Sequence, residues 1–180
     1  MLTARFSRSL GLPAPFPDVL GLALRVETPE GTADLEFAST GSGVPLRFAL
    51  LLRVSPSPGV YGTLLPYQGA RGSMVLRARS LSPRLPADRT GLQVALRAAS
   101  WWLELSHATP RGPWHPFALV ELRSVDAPDE MRADAGRRLI PGARMPRWVR
   151  ALRQPSYDAV QRGAAGPTPP YHRSAAPGRC

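Results

Sequence analysis

From Leu20 to Glu27 the large apolar residues fall at every second position: Leu20, Leu22, Leu24 and Val26 on one side, with Gly21, Ala23, Arg25 and Glu27 on the other. That period of two belongs to a half-buried β-strand, whose successive side chains point to opposite faces. Leu35 and Phe37 alternate in the same way with Asp34 and Glu36. Between the runs lies Thr28-Pro29-Glu30-Gly31-Thr32, in which proline presets φ and glycine tolerates either sign of it. The pair is therefore a predicted β-hairpin with Leu22, Leu24, Leu35 and Phe37 buried.

The same pattern predicts strands at Leu46–Val54, Tyr61–Tyr67, Met74–Arg79, Leu92–Ala98, Trp101–Ser106 and Phe117–Arg123, which makes eight candidates in all. Turns rich in Gly and Pro separate them, such as Ser55-Pro56-Ser57-Pro58-Gly59 and Pro110-Arg111-Gly112-Pro113. No long helical pattern intervenes to carry a parallel crossover, so the expected fold is mainly β, an antiparallel eight-stranded barrel. Past Pro141 the period changes. Met145, Trp148, Val149 and Leu152 lie on one stripe behind Pro146, with Arg147 and Arg150 opposite, which predicts a short amphipathic helix ended by Pro155. The expected organisation is a barrel over residues 1–131, a basic helical segment over 132–163 packing on it, and a disordered Pro/Gly/Arg tail over 164–180.

The charge is uneven. Residues 1–131 carry 13 arginines against 11 carboxylates, whereas 132–180 carry 10 against 2, and the chain has no lysine. A nearly neutral body with a basic end predicts weak, non-specific contact with anionic partners through the tail rather than sequence-specific recognition of nucleic acid. The single cysteine, Cys180, excludes an intrachain disulfide or a cysteine-based zinc site, and a reducing cytoplasm is the expected location. The longest apolar run, Phe48–Leu52, is far too short for a transmembrane helix.

Arg5-Phe6-Ser7, then Pro17 to Val26, then Gly31-Thr32-Ala33-Asp34-Leu35 resembles the first barrel hairpin of the haem catalases, which reads R-F-S, D-x-R-G-F-A-L-K-F and G-N-W-D-L. Weaker similarity continues at Tyr61–Tyr67 with Met74–Arg79, and at Gly112-Pro113-Trp114 before Phe117–Leu122, so that it covers most of residues 5–163. Late in the chain Pro141-Gly142-Ala143 precedes Arg153-Gln154-Pro155-Ser156-Tyr157, similar to the family's P-G-I-E stretch and R-x-x-x-Y segment. The resemblance implies haem as cofactor, held by the Tyr157 phenolate on the iron, with Arg153 beside it favouring ionisation of a phenol whose ordinary pKa is near 10. It also implies a peroxide substrate.

The chain departs from that family at three places. The family's distal histidine belongs to a segment upstream of Met1, which raises the expectation of a truncated form; the distal asparagine falls at Ser39; and the arginine seven residues after the tyrosine is Ala164. Dismutation of peroxide needs a group that takes a proton from one oxygen and returns it to the other, a task suited to histidine. His107 and His115 sit in a Pro-rich turn and His172 in the tail, each reading as a surface residue. The expected function is thus a catalase-related barrel, haem-binding and active on peroxide in a fuller form, with little or no catalase turnover as it stands. A haem-free binding or scaffold barrel with a basic tail is the alternative. A hydrolase such as a phosphodiesterase is a lesser one, because no cluster of Asp and His supplies a two-metal centre. Trp101-Trp102 invites base stacking, but on a strand the two rings face opposite sides, one into the core and the other expected under the C-terminal helix.

Overall fold

The computed structural model describes residues 2–124, 133–147 and 149. Nine strands and one helix follow one another among them: β1 Leu2–Arg8, β2 Asp18–Thr28, β3 Gly31–Ser39, β4 Leu52–Arg53, β5 Val60–Gly62, β6 Tyr67–Gly69, β7 Gly72–Ser80, α1 Arg89–Ala98, β8 Trp101–Ala108 and β9 His115–Leu122. All pairings are antiparallel. The main path runs β1-β2-β3-β5-β7-β8-β9, with β4 beside β2 and β6 beside β7, and it curls into a half-barrel. The edges β1 and β9 are not hydrogen-bonded to each other.

The β2–β3 hairpin forms as its alternation predicts, in a register that sets Leu22 opposite Phe37 and Leu24 opposite Leu35. All four of these side chains are buried, and with Leu20, Tyr61, Leu76, Trp101 and Leu103 they fill the concave face. Outside the curl, Arg25 lies opposite Asp34 and grips its carboxylate with two hydrogen bonds of 2.7 and 2.8 Å. Asp34 also accepts from the Asp134 N–H at 2.8 Å, and Gln68 and Arg144 exchange backbone hydrogen bonds of 2.7 Å. These contacts bring residues 134–147 back against the sheet, where Ala135 and Met145, and also Val149, are buried.

Three strand expectations are corrected. Leu92–Ala98 is the last seven residues of the ten-residue α1: Asp88 caps the helix by accepting from the Gly91 N–H at 2.6 Å, and buried Leu92 with half-buried Leu96 share one face while Val94 points to solvent. Spacing of i and i+4 satisfies a period of two as well as one of 3.6, so the short run was ambiguous by periodicity. Leu46–Val54 is a 3-10 turn at Leu46–Phe48 followed by the two-residue β4, its larger apolar side chains facing outward. Tyr61–Tyr67 breaks into β5 and β6, because Leu64 takes φ of +58°, a left-handed backbone that no strand accommodates. With β1 added, the count is nine rather than eight.

Candidate functional site

An open cleft of about 450 Å³ lies where the two free edges of the half-barrel approach each other, between β1, α1 and the end of β9. Its apolar lining is Phe6 from β1, Leu22 from β2, Leu92 and Leu96 from α1, Trp101 from β8 and Leu122 from β9. Arg5, Arg8, Arg89 and Arg123 also line it, and no carboxylate does. Alternation in β1 contributes to this division: Phe6 pairs with inward-facing Leu22, whereas its neighbour Arg5 pairs with Ala23 on the other face and is exposed.

The deep wall is tied together by ring contacts and a chain of hydrogen bonds. Trp101 meets Phe6 and Tyr61 edge-on, at centroid separations of 6.0 and 6.1 Å, and its Nε1–H donates to Ser80 Oγ at 2.8 Å. Ser80 Oγ donates in turn to Ser57 Oγ at 2.6 Å, and the Ser57 hydroxyl to the Ser82 carbonyl. The Tyr61 hydroxyl donates to the Pro56 carbonyl at 2.7 Å, and burial pushes this phenol far above its ordinary pKa, with nearby Arg53 opposing only in part. Tyr61 is therefore a neutral core residue and no source of phenolate.

The arginines at the rim differ. Arg8 donates to the carbonyls of Leu12 and Phe16 at 2.9 and 2.7 Å and lies 3.6 Å from buried Asp18, so it ties down the loop after β1. Arg123 pairs with Glu121 at 2.7 Å. Arg5 and Arg89 are exposed at the mouth, and each also interacts with another residue of the chain.

Among the residues expected at a site, Ser39 is fully buried at the end of β3, where its hydroxyl accepts from the Leu20 N–H at 3.0 Å and donates to the Leu51 carbonyl at 2.6 Å. It does not line the cleft. Tyr157 and Arg153 lie outside the described residues, as do Trp148, Leu152 and the tail over 164–180. His107 and His115 are not turn residues: they are a cross-strand pair on β8 and β9, their rings stacked at 5.5 Å. Among the described residues no group of His, Cys, Asp and Glu could hold a metal ion. Trp101 is in the core at 1% exposure, but Trp102, expected under a helix, is 42% exposed.

A second arrangement escaped sequence reasoning. Arg47 and Arg77, buried at 7% and 8% exposure, place their guanidinium carbons 4.5 and 4.7 Å from the centre of the Trp114 ring. Arg77 donates to Ser42 Oγ, Glu104 and Ser106 Oγ at 3.0–3.1 Å, and Arg47 to the carbonyls of Thr109 and Gly112 at 3.3 and 3.0 Å. Trp114 Nε1–H closes the set on the Ser42 carbonyl at 2.7 Å. This clamp fastens the loop after β3 to the β8–β9 turn, and cation–π attraction offsets part of the cost of burying two like charges. Sequence spacing could not find it, since its members come from four separated segments.

Haem, which the resemblance implies, can be tested against the cleft. The aromatic and aliphatic wall suits a flat apolar ring, and the arginines among the lining residues suit its carboxylates. No lining residue is a His, Tyr, Cys or Met, so the lining itself has no iron ligand. Compared with protein-family models, with curated proteins and with solved structures, the chain matches none.

Proposed function

We propose that the protein is a catalase-related barrel that binds a flat, apolar, acid-bearing ligand in the cleft between β1, α1 and β9, with haem as that ligand. The observation that carries this is the composition of the cleft: Phe6 and Trp101 in its wall, arginines at its rim and no carboxylate among its lining residues. Arg5 and Arg89 would meet the ligand's carboxylates, while Leu22, Leu92, Leu96 and Leu122 exclude water from its ring. Tyr157 would supply the anionic iron ligand and Arg153 would favour its ionisation, as the R-x-x-x-Y resemblance implies. When bound, haem supplies redox chemistry on peroxide.

Turnover at catalase level is not part of the proposal. A distal acid–base must reach the peroxide oxygens, and the two described histidines stack on each other on β8 and β9 without lining the cleft. Ser39, at the position of the family's asparagine, spends its hydroxyl on the backbone. The proposal is tested by titrating the purified chain with haemin: one equivalent should give a high-spin ferric Soret band that Tyr157→Phe abolishes. A titration without a Soret shift would remove haem and leave the binding or scaffold reading.

A further inference from the structure

Val44, Leu46, Phe48, Leu50, Leu52 and Val54 are each 40–59% exposed, while Arg47 between them is buried. A segment packed along a sheet ordinarily turns its apolar residues in and its charges out, and this one is inverted. The inversion is fixed by the fold, because Arg47 is held inward by the Trp114 clamp and Leu52–Arg53 pairs with the start of β2. That pairing brings a second loop alongside. Leu10, Leu12 and Phe16 are 44–60% exposed, and the N–H groups of Leu10 and Leu12 donate to buried Asp18, the residue opposite Arg53. Two anchored loops thus present apolar side chains at the Asp18 end of the β2–β3 hairpin.

Residues 37–87, which carry the longer row, contain six arginines and no carboxylate. Arg47 and Arg77 are buried in the clamp, and Arg77 and Arg79 pair with Glu104, but Arg53 within the row is half-buried, Arg84 is exposed in the loop that accepts from Ser55, and exposed Arg111 lies in the turn to which Arg47 is bonded. A second copy of the chain docked face to face would oppose arginine to arginine. The row consists of projecting aliphatic side chains, which suit a deformable apolar layer under anionic headgroups. We infer that this end of the half-barrel docks on an anionic lipid surface, with Leu46, Phe48, Leu50 and Leu52 entering the headgroup–acyl boundary and the surrounding arginines meeting lipid phosphates.

The test uses the full chain carrying Cys180→Ser, with an environment-sensitive fluorophore on Phe48→Cys or on Glu30→Cys. Glu30 lies in the turn at the other end of β2, roughly 30 Å away at about 3.3 Å per residue. With vesicles of equal parts phosphatidylcholine and phosphatidylglycerol, the label at position 48 should brighten and shift to the blue while that at 30 stays unchanged. The variant Leu46→Ser/Leu50→Ser/Leu52→Ser, whose altered side chains are all exposed, should keep its circular dichroism and bind these vesicles at least about tenfold more weakly. Equal responses at both labels, or vesicle binding undiminished in the serine variant, would mean that the basic end of the chain binds electrostatically and would overturn the inference. So would a dimer in sedimentation that the serine variant dissolves, since the occupant would then be a second copy.

Discussion

The ring of Phe6 meets the ring of Trp101 edge-on, with centroids 6.0 Å apart and planes inclined by 76°, although β1 and β8 are not neighbours in the sheet. Five pairings separate them along the strand order, so the contact measures how far the sheet has curled. It also forms part of the cleft wall, which makes the two rings a link between fold and site. Phe6→Ala should therefore destabilise the chain by about 2–3 kcal/mol, somewhat below the range for a fully buried phenylalanine, and should alter the near-ultraviolet circular dichroism of Trp101. A loss below about 0.5 kcal/mol in a denaturant titration would show that the rings do not hold the curl.

Leu24 is fully buried opposite Leu35 at the centre of the hairpin. Leu24→Ala should cost about 2–5 kcal/mol through lost burial and the cavity left behind. Val94→Ala, on the exposed side of α1, should change stability by less than about 0.5 kcal/mol. Denaturant midpoints of the two variants check both halves of that contrast.

Burial would raise the Asp34 pKa, but the hydrogen bonds from Arg25 and the Asp134 N–H, with the charges of Arg25 and Arg138, outweigh it and hold the carboxyl below its usual range. A carboxyl depressed in the folded state stabilises the protein above its unfolded pKa of about 4, and that contribution disappears as pH falls through the lower folded value. Stability should accordingly decline below about pH 4 in the parent chain and less steeply in Asp34→Ala. At neutral pH the same substitution should cost about 3 kcal/mol, because it removes both hydrogen bonds from Arg25 to the buried carboxylate and loosens residues 134–138 from the hairpin. Thermal unfolding followed from pH 3 to 7 gives both quantities.

The β2–β3 hairpin was legible because its long alternation and its Pro-Glu-Gly turn agree on one register. Helix α1 was not: seven residues from Leu92 satisfy either period, and the deciding signal is the Asp88 cap four positions earlier. Substituting Asp88 by Ala should remove about 1 kcal/mol and lower helical circular dichroism. Leu46–Val54 misled for a different reason. Its alternation is real but inverted, so the pattern marks an outward apolar row and not a core strand. In the cleft, Arg5 and Phe6 were visible as part of the R-F-S resemblance, but their meeting with α1 and β9 depends on how far the sheet curls, which no local pattern encodes. Ser39 illustrates the converse, since its place in the sequence pointed to substrate and its hydroxyl went to two backbone groups.

The central claim is that this cleft takes a flat, acid-bearing ring, and iron-free protoporphyrin IX tests it without relying on an iron ligand. In a fluorescence titration at moderate salt, the parent chain should bind one equivalent. Tyr157→Phe should bind as tightly as the parent, because no metal is present to be ligated. Arg5→Glu, at an exposed position on the rim, should bind at least about tenfold more weakly by replacing attraction to a carboxylate with repulsion. Phe6→Ala should weaken binding in the same direction. Porphyrin binding that is absent in the parent chain, or unchanged in both Arg5→Glu and Phe6→Ala, would contradict the assignment of the cleft.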